Sequence, residues 1–312
     1  MAGITPQAIK ELRERTQAGM SDCKSALVES EGDMEKAVEI ILKKGLAKSA
    51  KRAGAVASEG EVRASVSADK RAATLVEVNI QTDFAARNDE FRNFVGEVLT
   101  AAETAPAGSD LSGASLRGKT VQDVATDLTA KIGEKVAVRR WDRVEVPAGK
   151  SGVAHAYVHL GGKIGVVLAL ETDSDAVAQH PEVLKFADDT AMQIAAMNPA
   201  ALRRDQIGED VKAKQKEIFE GQLREDPKPK PENAWPKIIE GKFNKWFSEV
   251  TLTEQESVVV PGQTIDKLRE GAAKAAGGTV NILRFVRFER GEGIDKPQGP
   301  DFASEVAKMA GG

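Results

Sequence analysis

The spacing of apolar residues switches between helical and strand periods along this chain, and the order of the switches limits the folds available to it. Residues 1–45 follow a helical period, and from Val62 apolar and polar residues alternate as they do in half-buried strands. Helical and strand segments then succeed one another toward the C-terminus. Strands followed by helices in this order predict an α+β fold, with helices on one face of antiparallel sheets.

The first 45 residues predict a bundle of three short helices. Ser21 is a candidate cap for the second helix and Asp33 for the third, because short polar side chains accept hydrogen bonds from the free N–H groups of a helix N-terminus. Gly45 is expected to end the third helix. Residues 46–60 are rich in Ala, Lys and Gly and have no large apolar face, so we interpret them as a partly helical linker.

Two α+β core subdomains are predicted after the linker, at residues 61–146 and at residues 147–202 joined with 249–290. Each begins with two alternating strands, which turn near Ala68 and Asp69 in the first and at Gly161-Gly162 in the second. In the strand after the first turn, the side chains at 76, 78 and 80 face one way, and those of Glu77 and Asn79 face the other. Helical patterns follow at about residues 89–102, 120–132 and 181–197, and strand patterns at 135–146 and in TVNILRFVRFE.

A helical hairpin at residues 203–248 is predicted to interrupt the second subdomain. Two amphipathic segments flank the proline-rich loop at 226–233, so they are expected to fold back on each other. Their large apolar side chains either pack within the hairpin or form a surface for a partner. Residues 291–312 make a C-terminal module, in which an amphipathic helix is marked by Phe302, Val306 and Met309.

The composition limits the chemistry that this chain can perform. A net charge of −4 argues against a dedicated nucleic-acid binder, and three histidines are a thin supply for an acid–base catalyst. The single cysteine, Cys23, excludes a disulfide framework and a Cys-rich zinc module, and it is interpreted as a buried small side chain rather than a nucleophile. His155 and His159 share one face of a strand, which is more typical of a polar sheet face than of a metal site. No cofactor and no metal are predicted.

Neither nucleotide binding by the chain itself nor membrane insertion is favoured by its motifs. Gly149-Lys150-Ser151 resembles the end of a phosphate loop, but Val144 stands where such a loop needs its first glycine. No signal peptide is recognisable and no apolar run approaches the ~18 residues of a membrane span. The sequence therefore predicts a cytoplasmic protein without membrane contact.

Several blocks of the sequence, in order, resemble the bacterial translation elongation factor Ts family. They are ELRERTQAGMSDCKSALVESEGDMEKAVEIILKKG, VEVNIQTDFAARND, YVHLGGKIGVVL, AMQIAAMNP, EGKFNKWFSEVTL and FVRFERGEGI. Departures from the family pattern occur at Gln17 and Ser21, and at Glu256 within LTEQESVVV. The resemblance implies a UBA-like N-terminal bundle, two α+β subdomains, a coiled-coil hairpin used in association and a C-terminal module.

The resemblance also implies a function and its residues. It implies a guanine nucleotide exchange factor, not an enzyme, that binds the GTPase elongation factor Tu and no nucleic acid. Residues carried over for displacing Mg²⁺ from the GTPase are Thr82, Asp83, Phe84 and Ala85. Further contacts with the GTPase are expected at Met20, Lys24 and His159. A homodimer or a two-plus-two complex is expected through the helical hairpin.

The residues alone leave alternatives open. Phe84 either projects from a polar loop or packs against Phe91 or Phe94 as a staple at the start of the next helix. Met20 is either an exposed anchor in the loop before Ser21 or part of the bundle core. The alternative function is a UBA-like binding adaptor without exchange activity. A GTP-binding enzyme is disfavoured by the incomplete phosphate loop.

Overall fold

The computed structural model describes residues 4–16, 18, 20–52, 54–228 and 230–295. By its internal contacts the chain divides into two units. Unit 1 contains residues up to 63, residues 76–141 and, at the end of the described chain, residues 289–295; unit 2 contains residues 64–75 and 142–288. The predicted C-terminal helix and Gln17 lie outside the described residues. The division into six domain segments stays a prediction.

Three helices form the N-terminal part of unit 1, as the sequence predicts. They are α1 (Pro6–Thr16), α2 (Met20–Glu29) and α3 (Met34–Arg52). Asp33 caps α3 by accepting a hydrogen bond from the backbone N–H of Lys36 at 3.0 Å, and this bond holds the pKa of its carboxyl below the usual value. The small core of this bundle contains Leu12, Cys23, Ala26, Leu27 and Ala37.

The remainder of unit 1 is a sheet covered by helices. Its elements are β1 (Glu59–Val66), β2 (Ala72–Ile80), α4 (Asp83–Ala86), α5 (Asp89–Thr104), β3 (Ser115–Leu116), β4 (Lys119–Thr120), α6 (Val121–Ile132) and β5 (Ala137–Glu145). One end of each long strand is counted with unit 2, namely residues 64–66 of β1, 72–75 of β2 and 142–145 of β5. The strand order is β1-β2-β5, and β3 pairs with β4 in a small ladder of its own. Val76, Val78 and Ile80 of β2 form a buried core with the apolar faces of α5 and α6, which confirms the predicted inward face of this strand.

Two predicted helix boundaries in the N-terminal bundle are wrong. Helix α2 begins at Met20, so Ser21 lies inside the helix and not at its cap. Helix α3 continues through Gly45 to Arg52. A Cβ atom built on Gly45 would lie 3.0 Å from the Cβ of Ala130 in α6. Gly45 therefore permits close approach of α3 to α6, and it does not terminate the helix.

Unit 2 contains the second sheet and its helices. The elements are β6 (Ser151–His159), β7 (Ile164–Thr172), α7 (Asp175–Ala178), α8 (Pro181–Met197), α9 (Glu209–Arg224), α10 (Trp235–Val250), α11 (Ile265–Ala276) and β8 (Val280–Glu289). The strand order is β6-β7-β8, and β6 and β7 are antiparallel, with Ser151 opposite Thr172 and His159 opposite Ile164. Side chains of β7, α8 and α11 fill the core, among them Leu168, Phe186, Ile194 and Ile265. The α+β class and the predicted hairpin at Gly161-Gly162 are confirmed.

Helices α9 and α10 form the predicted helical hairpin. Phe243 lies at the centre of its aromatic cluster, with ring centroids 5.3 Å from Phe219, 5.9 Å from Trp246 and 5.7 Å from Phe247. The large apolar side chains therefore do pack within the hairpin. No residue of α10 is fully buried, however, so its apolar side chains stay partly accessible to solvent.

Candidate functional site

The chain turns away from the sheet directly after β2 and forms the short helix α4. Thr82 has an extended backbone, with φ −122° and ψ 154°, and its Oγ1 accepts a hydrogen bond from the N–H of Ala85 at 3.2 Å. Asp83 lies in the first turn, where a negative charge is favourable, and forms an ion pair with Arg87 at 3.1 Å. The sequence Thr-Asp-Phe-Ala-Ala thus encodes a capped single turn of helix.

Phe84 points outward from this turn. Its side chain is 80% exposed, whereas Phe91 and Phe94 of α5 are fully buried. Ala85 and Ala86 pack against the core on the inner side of α4. The alternative in which Phe84 staples the start of α5 is therefore wrong, because an aromatic ring packed against Phe91 or Phe94 would be shielded from water. Phe84 is thus exposed to solvent on a helix whose opposite side packs against the core.

Glu134 holds the start of this helix, which no sequence pattern predicts. Its two carboxylate oxygens accept hydrogen bonds from the backbone N–H of Thr82 at 2.9 Å and from the Thr82 hydroxyl at 2.7 Å. Next to it, Gln81 accepts the backbone N–H of Lys135 at 3.0 Å. No local sequence signal marks these bonds, because they join residues more than 50 positions apart.

Met20 and Lys24 lie together on the exposed side of α2, also in unit 1. Met20 is 53% exposed, so the alternative that places it in the bundle core is wrong. It belongs to the first turn of α2 rather than to a loop, and Lys24 is exposed one turn later. A groove of about 1020 Å³ runs between α2, α3 and α6, and its lining includes Asp22, Ile41 and Ile132.

His159 lies at the end of β6 in unit 2. Its Nδ1 and the hydroxyl of Tyr157 form a hydrogen bond at 2.8 Å, and the two rings are stacked with centroids 5.8 Å apart. His155, on the same strand, instead pairs with Asp188 at 3.1 Å. Each histidine thus has its own polar partner, which supports the interpretation of a polar sheet face. Among the described residues no group of three or more potential ligands is arranged to hold a metal ion.

Comparison with known proteins decides the family. A sequence model of the family described as "Elongation factor TS" matches residues 81–292, which is more than half of the chain. Elongation factor Ts of Clostridium perfringens is 46% identical over 311 residues, which cover 99% of each chain. The chain belongs to the elongation factor Ts family. Two further elongation factor Ts proteins, from a Nitratiruptor species and from Clostridioides difficile, are 44% and 42% identical over at least 97% of each chain. Membership in the elongation factor Ts family assigns the chain to translation elongation.

The match to the sequence model of the elongation factor Ts family begins at Gln81, immediately before the turn that carries Phe84.

Strand β2, which leads into this turn, carries a buried charge. Glu77 is fully buried and accepts hydrogen bonds from Arg139 at 3.0 Å, Arg140 at 2.6 Å and the backbone N–H of Gly291 at 2.7 Å. Burial disfavours its ionised form, but the hydrogen bonds from Gly291, Arg140 and Arg139 outweigh it, so the pKa of Glu77 lies below its usual value.

The alternating pattern of β2 places Glu77 on the face opposite the core and gives no sign that it is a buried ion. A charged residue at an alternating strand position ordinarily signals a solvated face. The partners that bury it come from β5 and from the segment after β8, far away in the sequence.

Among the described residues, no helix has the length and apolar character needed to cross a membrane.

Proposed function

We propose that this elongation factor Ts family member is a guanine nucleotide exchange factor for the GTPase elongation factor Tu, with no bond-breaking chemistry of its own. In this proposal it binds the GDP-bound GTPase, displaces Mg²⁺ and GDP by inserting Phe84, and stabilises the nucleotide-free state until GTP binds. The observation that carries the proposal is the exposure of Phe84 on a helix whose inner side is anchored in the core.

Exchange requires that the factor and the nucleotide weaken each other's binding. A GTPase holds its nucleotide through a phosphate loop and a Mg²⁺ ion. If the factor lowers nucleotide affinity, linkage requires the nucleotide to lower the affinity for the factor by the same free energy. A ~1000-fold effect corresponds to about 4 kcal/mol of coupling. The contact responsible must therefore be strong and must form only when the GTPase gives up the ion.

An inserted aromatic ring meets this requirement better than surface charges do. Exposed ion pairs contribute about 0–1 kcal/mol each, whereas an aromatic side chain that fills a pocket contributes about 2 kcal/mol or more. In the proposal Thr82 and Ala85 hold the helix, Asp83 lies beside the ring, and Phe84 enters the GTPase. Met20, Lys24 and His159 supply further contacts that orient the partner.

Stopped-flow release of a fluorescent GDP from elongation factor Tu tests this function. The protein should accelerate release strongly at saturating concentration, and Phe84→Ala should remove most of that acceleration. Val258→Ala is the matched control, because it shortens another exposed apolar side chain, in unit 2. An unchanged GDP off-rate with saturating wild-type protein would overturn the proposal, and binding without acceleration would favour the adaptor alternative.

We further propose that the hairpin of α9 and α10 mediates association, as a homodimer or a two-plus-two complex with the GTPase. The support is the incompletely buried aromatic face of α10, where Phe243 and Phe247 border a groove of about 1070 Å³. Replacing residues 209–248 by a short flexible linker should lower the molar mass in light scattering while unit 1 stays folded. The same assembly state with and without the hairpin would reject this role.

A further inference from the structure

Glu134 binds the N-terminus of α4 through two hydrogen bonds, both donated by Thr82. The backbone N–H and the hydroxyl of Thr82 each donate to a different oxygen of its carboxylate, at 2.9 and 2.7 Å. Hydrogen bonds to an ionised acceptor are stronger than neutral ones, and the two-point geometry fixes orientation as well as distance. The hydroxyl oxygen of Thr82 in turn accepts a hydrogen bond from the N–H of Ala85 at 3.2 Å. The hydrogen bonds therefore connect Glu134 to the helix that bears Phe84.

Glu134 is itself held in place by the C-terminal end of α6. Gly133 adopts the left-handed conformation with φ 82° and donates its N–H to the carbonyl oxygen of Thr129 at 2.9 Å. The buried hydroxyl of Thr129 accepts the N–H of Val136 at 3.0 Å. The chain on both sides of Glu134 is thus fixed to the same helical turn. The backbone that carries the Glu134 carboxylate is therefore held in place by hydrogen bonds on both sides.

A second link joins α6 to the other side of α4. Lys131, in the last turn of α6, forms an ion pair with Glu90 in the first turn of α5. Asn88 caps α5, because its Oδ1 accepts a hydrogen bond from the N–H of Glu90 at 2.8 Å. The end of α6 therefore holds the residues before and after the single turn of helix that carries Phe84.

We propose that Glu134 is a positioning residue for Phe84, which fixes the exposed ring in the orientation needed for insertion into the GTPase. This inference rests on the proposed function. A helix of one turn has little stability of its own, because nucleation is costly and few internal bonds repay it. Without the carboxylate, α4 loses its anchored start and the ring samples many directions. Part of the binding free energy is then consumed in ordering it.

The test uses three variants of the full chain and two readouts. Glu134→Ala should raise the hydrogen-exchange rates of the amides at 82–86 at least about tenfold, while those at 75–80 stay protected. It should lower the maximal GDP release rate about tenfold, which is equivalent to about 1.4 kcal/mol. Glu134→Gln should keep most of the rate, since its amide accepts the Thr82 N–H and donates to the Thr82 oxygen. Glu97→Ala is the control, because it removes a carboxylate that binds Arg117 elsewhere in unit 1.

A Phe84→Ala background separates positioning from general loss of structure. If Glu134 acts through the ring, Glu134→Ala causes no further loss of rate once Phe84 is gone. An equal loss in both backgrounds, or unchanged amide exchange at 82–86 in Glu134→Ala, overturns the inference. If Phe84→Ala alone releases GDP at the wild-type rate, the proposed function fails, and the amide exchange then decides separately whether Glu134 holds the helix.

Discussion

At the scale of single residues, the buried carboxylate of Glu77 is expected to contribute strongly to stability. Glu77→Gln keeps the shape of the side chain but removes the charge that faces Arg139 and Arg140. Breaking a buried ion pair from one side costs about 3 kcal/mol. Chemical denaturation should therefore show a free energy of unfolding lower by about that amount. The exposed pair of Glu97 and Arg117 provides the control, and Glu97→Gln should cost less than about 1 kcal/mol.

The same residue predicts how stability depends on pH. The pKa of Glu77 is lowered from an ordinary value of 4.5 in the folded protein. Its contribution is therefore fully present above pH 4.5 and is lost as the pH falls through the folded-state pKa. The difference in unfolding free energy between wild type and Glu77→Gln should be constant near neutral pH and shrink below pH 4.5. A difference that grows on acidification would contradict this account.

Phe84 gives the opposite expectation for stability. Since 80% of its side chain is exposed, Phe84→Ala removes little buried surface. Loss of a buried phenylalanine costs about 3–5 kcal/mol, as expected for Phe91→Ala or Phe94→Ala in the core. Phe84→Ala should change the free energy of unfolding by less than about 1 kcal/mol. Thermal unfolding of the three variants compares them directly, and a large drop for Phe84→Ala would show that the ring is packed in solution.

At the scale of elements, the contact between α3 and α6 depends on a missing side chain. Gly45 lies inside α3, and an added Cβ would meet the Cβ of Ala130 at 3.0 Å. Gly45→Val should separate the two helices and destabilise the protein by about 1–3 kcal/mol. Gly45→Val combined with Ala130→Gly should recover part of this loss, because the second change makes room. Gly241→Val in α10, where nothing lies within 4 Å of the added atom, should show no such loss.

Gly45 also shows where sequence reasoning about elements fails. A glycine after an amphipathic stretch is typical of a helix end, yet here it marks a close approach between helices that no local pattern reveals. The apolar pattern does not predict helix α11, because Ile265 and Leu268 are its only large apolar residues. Its Thr264 cap and its Gly277 terminator were signals that would have identified it. Helices α5, α6 and α8 were predicted well, since each carries a long apolar stripe between clear end signals.

The sequence likewise predicts some features of the candidate site and not others. The position of Phe84 after a strand, among polar neighbours, allowed exposure but did not require it, and the staple alternative stayed open until burial was known. The proposed role of Glu134 depends on its hydrogen bond with Thr82, which lies 52 positions away in the sequence. Likewise Gly291 requires its φ of +72°, and a Cβ there would lie 2.2 Å from the carbonyl oxygen of Ser58. Local periodicity predicts elements, whereas such contacts exist only once the chain has folded.

At the scale of the whole molecule, an elongation factor Ts fold carries one exposed aromatic side chain, Phe84, on the short helix α4. In the proposed function, the two units supply the scaffold and further contacts with the GTPase, and Phe84 displaces the ion and the nucleotide. A ring that acts by displacing Mg²⁺ should be dispensable once the ion is gone, because a chelator then performs the same step. The effect of the ring on GDP release must therefore depend on Mg²⁺.

The most direct test of this claim is the GDP off-rate from elongation factor Tu with saturating wild-type or Phe84→Ala protein, measured with Mg²⁺ and again with excess chelator. We expect Phe84→Ala to slow release at least about tenfold when Mg²⁺ is present, equivalent to about 1.4 kcal/mol, and to differ little from wild type when it is removed. An equal defect under both conditions, or none under either, would show that Phe84 does not act through the Mg²⁺ site.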